Sequence, residues 1–149
     1  MDRSSVEKIV DKLKARYNCV CHGGCDEAVI EEVESTLGVK FPATYRAILQ
    51  VCGGAYCPAL AREINIKNTD LPALEAWEKV HRLAPSNKEY WKAGMPTGYY
   101  LFAFDDMGNP FCFSMTPDDT AVYLFDHDLL RIDKLAPDLE TLIGNYLRL

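Results

Sequence analysis

Residues 99–126 hold three strand-length apolar runs, at 99–104, 110–115 and 121–126, separated only by Asp105-Asp106-Met107-Gly108-Asn109 and Thr116-Pro117-Asp118-Asp119-Thr120. Connections this short cannot cross over a sheet, so neighbouring runs must pair antiparallel. Gly108-Asn109 supplies residues that tolerate the positive φ of a tight hairpin, and the proline and aspartates of the second segment are turn formers. The first run is apolar throughout and is expected at the centre of a sheet, covered on both faces. Phe111, Phe113 and Met115 alternate as on a strand buried mainly on one face, and Val122 and Leu124 point opposite to Tyr123 and Phe125. A meander of this kind commits the chain to an α+β fold with a central antiparallel sheet, and the remaining elements must cover it.

Upstream, helical spacing dominates. Ser4-Ser5-Val6-Glu7 has the form of a capping box and predicts a helix over about 4–17, with Val6, Ile9, Val10, Leu13 and Tyr17 on one face. Gly23-Gly24 ends that segment. Asp26 caps a second helix over 26–37, whose apolar stripe is Val29, Ile30, Val33 and Leu37; Glu27, Glu31, Glu32 and Glu34 fall on the other side or near the positive N-terminal end. Gly38 stops it, Pro42 opens a third helix over about 42–52 burying Tyr45, Ile48, Leu49 and Cys52, and Gly53-Gly54 terminates that one. The alternation of Ile64 and Ile66 predicts a short strand from Arg62 to Asn68. Asp70 and Pro72 introduce a helix near 70–83 with Leu74, Trp77 and His81 on one side, ending before Pro85, with Tyr90 and Trp91 in an irregular stretch beyond. Pro137 starts a last helix over about 137–148 carrying Leu139, Leu142, Ile143, Tyr146 and Leu147. No repeat, linker or low-complexity segment divides the chain, so residues 1–149 read as one domain.

The net charge of −6 disfavours nucleic-acid phosphate as a partner and suits a basic protein instead. No apolar run of signal-peptide or membrane-spanning length occurs, so a cytoplasmic location without membrane contact is expected. The six cysteines, at 19, 21, 25, 52, 57 and 112, are then expected as reduced thiols.

Candidate chemistry is sparse. Cys19, Cys21, His22 and Cys25 have the ligand types of a zinc shell, but adjacent and alternate residues strain convergence on one ion, and a loop of reduced thiols is the preferred reading. A local Cys52–Cys57 disulfide is conceivable, although Cys52 on an apolar helical face packs well as a free thiol. His22, His81 and His127 carry no local signature of a catalytic thiol site. Asp105-Asp106 and Asp126-His127-Asp128 end strands, where aspartate commonly accepts backbone amide bonds. Gly53-Gly54 follows its helix, the wrong end for holding an anion. Trp77 is expected in the core. No catalytic residue, metal or cofactor is assigned, and the chain reads as a non-enzyme.

One ordered set of blocks goes further: Leu37-Gly38-Val39-Lys40-Phe41-Pro42-Ala43-Thr44-Tyr45-Arg46-Ala47-Ile48-Leu49 with Cys52-Gly53-Gly54; then residues 102–113; then Val122-Tyr123-Leu124-Phe125-Asp126-His127-Asp128. Together with the closing helix these resemble the SUKH superfamily (Smi/Knr-like domain), from about Asp26 to Leu147, leaving residues 1–25 as an N-terminal helical extension. The resemblance implies a non-catalytic protein-binding domain, above all a bacterial immunity protein that neutralises a cognate toxin, often a nuclease. The alternative is a regulatory scaffold like the cell-wall-synthesis regulators of the same superfamily. Gly38, Phe41, Pro42, Tyr45, Gly53, Gly54, Gly108, Asn109, Phe113 and Asp126 are its motif residues, expected to specify shape, and it indicates no toxin-binding residue.

Overall fold

The computed structural model describes residues 1–149. In chain order the elements are α1 (Arg3–Tyr17), β1 (Val20–Cys21), α2 (Glu27–Leu37), α3 (Ala43–Val51), β2 (Ala55–Tyr56), α4 (Pro58–Lys67), β3 (Leu74–Trp77), a 3-10 turn (Val80–Arg82), α5 (Leu83–Lys92), β4 (Tyr99–Asp105), β5 (Pro110–Ser114), β6 (Val122–Asp126), β7 (Arg131–Ala136) and α6 (Leu139–Leu147). The seven strands form one sheet whose spatial order is the chain order, and every neighbouring pair is antiparallel. The fold is α+β, with the expected meander at β4–β6.

The central strand β4 is covered on both faces. On one, Tyr100 and Phe102 join Phe111, Phe113 and Val122 of the neighbouring strands in the main core with α1, α3 and α6. Tyr45 of α3 sits over this face, with ring centroids 5.3 Å from Phe102 and 5.4 Å from Phe113, and Phe102 stacks on Phe113 at 4.1 Å. On the other face a smaller cluster of Met95, Leu101, Cys112 and Phe125 is covered by Tyr90 and Trp91 of α5. Fully burying side chains of this size is worth on the order of 1.5–3 kcal/mol each, so the aromatic meander contributes a large share of the stabilisation.

Asn87 of α5 completes the sheet where a strand runs out. β3 stops at Trp77, opposite Ala103, and leaves Leu101 of β4 without a strand partner on that side. The buried Asn87 amide takes its place, accepting from the Leu101 N–H at 2.7 Å and donating to the Leu101 carbonyl at 3.2 Å and the Leu83 carbonyl at 2.9 Å.

Several local expectations fail for identifiable reasons. The helix expected near 70–83 is absent: Leu74 and Trp77 bury the two ends of strand β3, and a register shift between Leu74 and Ala76 returns them to the same side. A bulge thus imitates the i, i+3 spacing of a helix. The true helix, α5, begins where that one was expected to end; Pro85 lies in its first turn, where no intrahelical N–H is needed, and Tyr90 and Trp91 belong to it. The strand expected over Arg62–Asn68 is the latter part of α4, which opens with Pro58 and buries Leu60, Ala61 and Ile64 on one face while Ile66 is 78% exposed. Strand β7 carries three charges in six residues and went unrecognised; as the outermost strand of the sheet it is largely exposed. At the N-terminus the cap of α1 is Asp2, accepting from the Ser5 N–H at 2.8 Å, rather than Ser4. At α6 it is Asp138, accepting from the Thr141 N–H at 2.7 Å, rather than a start at Pro137.

Candidate protein-binding groove

Helix α2 runs from its Asp26 cap to Gly38, whose φ of 72° turns the chain back, and the loop through Phe41 and Pro42 feeds α3. Glu34, on the last turn of α2, is buried against this loop. Its carboxylate accepts from the Phe41 N–H at 2.6 Å and from Arg46 Nε at 3.2 Å and Nη2 at 2.8 Å. Arg46 also bonds Glu27, which accepts from Gln50 Nε2 at 2.7 Å. Bonding first to Glu34 and then to Glu27 raises Arg46 above the ordinary arginine range, and the Arg46 and Gln50 bonds hold Glu27 below the usual glutamate value. The network fixes α2 to α3 with charge-assisted bonds at a site partly shielded from water.

Across from this wall stands the β5–β6 connection. Asp119 accepts from the Ala121 N–H at 3.0 Å and the Tyr123 hydroxyl at 2.8 Å, and these bonds, in that order, depress its pKa. Asp118, beside it, is exposed with a φ of 69°. Between the walls lies an open groove of about 1,090 Å³. Tyr100 lies in its lining, 2% exposed and packed on Phe41 and Phe113. Burial pushes its hydroxyl pKa upward. Five carboxylates line the groove, Glu27, Glu31, Glu34, Asp118 and Asp119, against the cations Lys40 and Arg46. Arg46 is spent on Glu27 and Glu34, so the groove presents net negative charge to a partner.

In the other acid clusters Asp106 accepts from the Asn65 side-chain amide at 2.8 Å, and Asp105 and Asp126 are taken up mainly by backbone amides. Asp105 accepts from the Met107 and Asn109 N–H groups at 2.9 and 2.8 Å, and from the Asn109 amide at 3.1 Å. Asp126 accepts from the Asp128 and Leu129 N–H groups at 2.9 and 3.0 Å. Asn109 ties the two hairpins together, its Oδ1 accepting from the His127 N–H at 3.1 Å and lying 2.6 Å from His127 Nδ1. These residues hold turns.

The cysteines depart from expectation. Cys19 is bonded to Cys57 and Cys21 to Cys52, so four of the six are not reduced thiols. The reason is tertiary: the β1–β2 pairing sets Val20 opposite Tyr56, which brings Cys19 beside Cys57. Cys19, Cys21, His22 and Cys25 are not brought together, for Cys25 donates to the Leu49 carbonyl at 3.2 Å and His22 is exposed.

Gly38, Phe41 and Pro42 line the groove and Tyr45 and Phe113 pack together beside it. Gly53 and Gly54 hold φ values of 68° and 124° where their backbones meet Gly23 and Lys79 closely enough to leave no room for a Cβ. Gly108 takes a φ of 80° in the β4–β5 turn. Reading the sequence missed the Glu34–Arg46–Glu27 network and the part Asp119 plays in the groove wall. Glu34 looked like one more acid on a solvated helix face, and nothing within α2 signals that the amide of Phe41 needs it.

The sequence of the chain matches the family described as SMI1 / KNR4 (SUKH-1) over residues 24–145. The chain belongs to this family. The matched span contains the whole groove, whereas α1 and β1, with Cys19 and Cys21, precede it. A comparison with curated proteins finds no match.

Proposed function

We propose that this SMI1/KNR4-family chain is a non-catalytic protein-binding domain of the immunity type, which occupies a cognate bacterial toxin in the cytoplasm and blocks it. The observation that carries the reading is the acidic groove between the α2–α3 loop and the β5–β6 connection, with its two walls held rigid by Glu34–Arg46 and Asp119–Tyr123. A preorganised surface loses little freedom on binding. Its charge suits a basic partner face such as that of a nuclease, and complementarity of this kind speeds encounter and suppresses wrong partners. The occupation of Asp105 and Asp126 by backbone amides supports binding over acid–base chemistry. No helix is long and apolar enough to cross a membrane. Residues 1–149 act in this reading as one unit, with the motif residues shaping the groove and its surroundings.

The test is rescue of cells that express a toxin domain encoded next to this chain, followed by association kinetics of the purified pair. Reversing two groove charges, Glu31→Lys with Asp118→Lys, should slow association roughly tenfold at low salt and flatten its ionic-strength dependence. Failure to rescue any neighbouring toxin would refute the immunity role. Rescue with an unchanged on-rate at every ionic strength would instead move the interface away from the groove.

A further inference from the structure

We propose that Cys19, Cys21, Cys52 and Cys57 form a thiol–disulfide exchange site that latches residues 1–25 onto the family domain. Both bonds join a residue ahead of the family-matched span to one inside it: Cys52 lies at the end of α3 and Cys57 at the start of α4. The Cα separations, 4.5 Å for Cys19–Cys57 and 5.0 Å for Cys21–Cys52, fall within the range a disulfide accepts.

Non-covalent contacts share the attachment: Arg16 of α1 pairs with Glu63 at 3.5 Å and donates to the Leu149 carbonyl. β1 is two residues long and pairs only with β2, and two further backbone bonds follow it, from the His22 N–H to the Gly54 carbonyl and from the Cys25 N–H to the Leu49 carbonyl. A two-residue strand and a fifteen-residue helix have little stability on their own. Val6, Val10 and Tyr17 are buried beneath α1, but the seam is not fully packed. Ile9, Val10 and Leu13 of α1 enclose, with the four cysteines, Ile48, Trp77 and Ile143, an apolar cavity of about 40 Å³. The covalent bonds therefore add to a docking that side-chain burial alone leaves incompletely packed. Loops closed over separations of 38 and 31 residues each shift such an equilibrium by on the order of a hundredfold or more.

The partner chemistry is a small thiol of the glutathione class. Its thiolate attacks a sulfur of one bond, the S–S bond breaks, and the other sulfur leaves as a thiolate that takes up a proton. A second small thiolate then attacks the small-molecule sulfur of the mixed disulfide, forming the small disulfide and releasing the cysteine as a thiolate that takes up a proton. Each protein disulfide thus consumes two small thiols and yields two cysteine thiols and one small disulfide. Cys21 is the most exposed of the four, so exchange begins at the Cys21–Cys52 bond. Cys112 and Cys25 do not compete: Cys112 is fully buried, and burial raises both thiols above the ordinary value.

The proposal is independent of the groove and its partner. The chain of residues 1–149, equilibrated with glutathione disulfide, is alkylated after denaturation: two thiols should react before reduction and six after it, with peptide mapping returning the pairs 19–57 and 21–52. Native amide exchange is then compared in oxidised and reduced glutathione. Exchange across α1 should rise at least about tenfold on reduction while β4 and β5 stay protected, and Cys19→Ser with Cys21→Ser should reproduce the rise without reductant. Six reactive thiols in the oxidised protein would overturn the proposal, as would one equivalent of zinc shielding four thiols. So would α1 exchange indifferent to reduction, or loss of β4 and β5 protection together with α1, which would make the bonds supports of the whole fold.

Discussion

Replacing Asn87 by alanine should destabilise the protein by about 3–5 kcal/mol. The side chain is fully buried and makes three hydrogen bonds, two of them to the backbone of Leu101, itself fully buried in the central strand. Alanine leaves the Leu101 N–H and C=O unpaired in an apolar layer, and each such orphan costs about 1–3 kcal/mol. The Leu83 carbonyl and the void left by the amide add smaller amounts. Native domains are stable by only about 5–15 kcal/mol, so this is a large share. Urea unfolding followed through Trp77 and Trp91 measures it. With an m-value of about 2 kcal/mol/M the midpoint should fall by roughly 2 M, with the slope unchanged. Asn87→Leu separates the two causes, since it refills the space without restoring a hydrogen bond. A loss below about 1 kcal/mol in the alanine variant, or near-native stability in the leucine variant, would refute the view that Asn87 stands in for a missing strand.

Other perturbations test the core and the groove wall. The Tyr45 hydroxyl is buried with no hydrogen-bond partner, so Tyr45→Phe should leave stability unchanged or raise it by up to about 1 kcal/mol, read from the thermal midpoint. A clear loss would mean that the hydroxyl is satisfied. Asp119 is depressed in the folded state by its bonds to Ala121 and Tyr123. Its stabilisation is therefore complete above the unfolded carboxyl value near 4 and is lost as pH falls through the lower folded value. Asp119→Asn should flatten the dependence of stability on pH below about 4, measured by urea unfolding in a pH series, and an unaltered slope would count against those bonds.

How far the sequence could be read depended on the range of the interaction. β4–β6 were legible because the five-residue connections between the apolar runs leave their strands no partner but each other. Helix α2 was legible because Asp26 and Gly38 set their own backbone: the cap carboxylate reaches the Val29 N–H at 3.1 Å, and the glycine takes the left-handed conformation. The ordered blocks around Phe41-Pro42, Gly108-Asn109 and Val122–Asp126 pointed to the family because their spacing survives in one dimension.

Where burial and pairing came from distant residues, local reading failed. Leu74 and Trp77 have helical spacing, yet β3 is held between β2 and β4, and its bulge restores their common face. Ile64 and Ile66 alternate like a strand, yet the core touches only the face of α4 that carries Leu60, Ala61 and Ile64. The groove also needed the fold, because Glu34 and Arg46 lie on different helices and Asp118 and Asp119 on a turn more than seventy residues away. The disulfides required β1 to be laid against β2 before Cys19 could meet Cys57. The chain alone thus determined its sheet centre, the two ends of α2 and its family, since each rests on backbone preference or on neighbours a few residues apart. Tertiary structure alone decided the identity of α4 and β3, the cysteine pairing and the acidic groove, since each depends on which faces meet across the sheet.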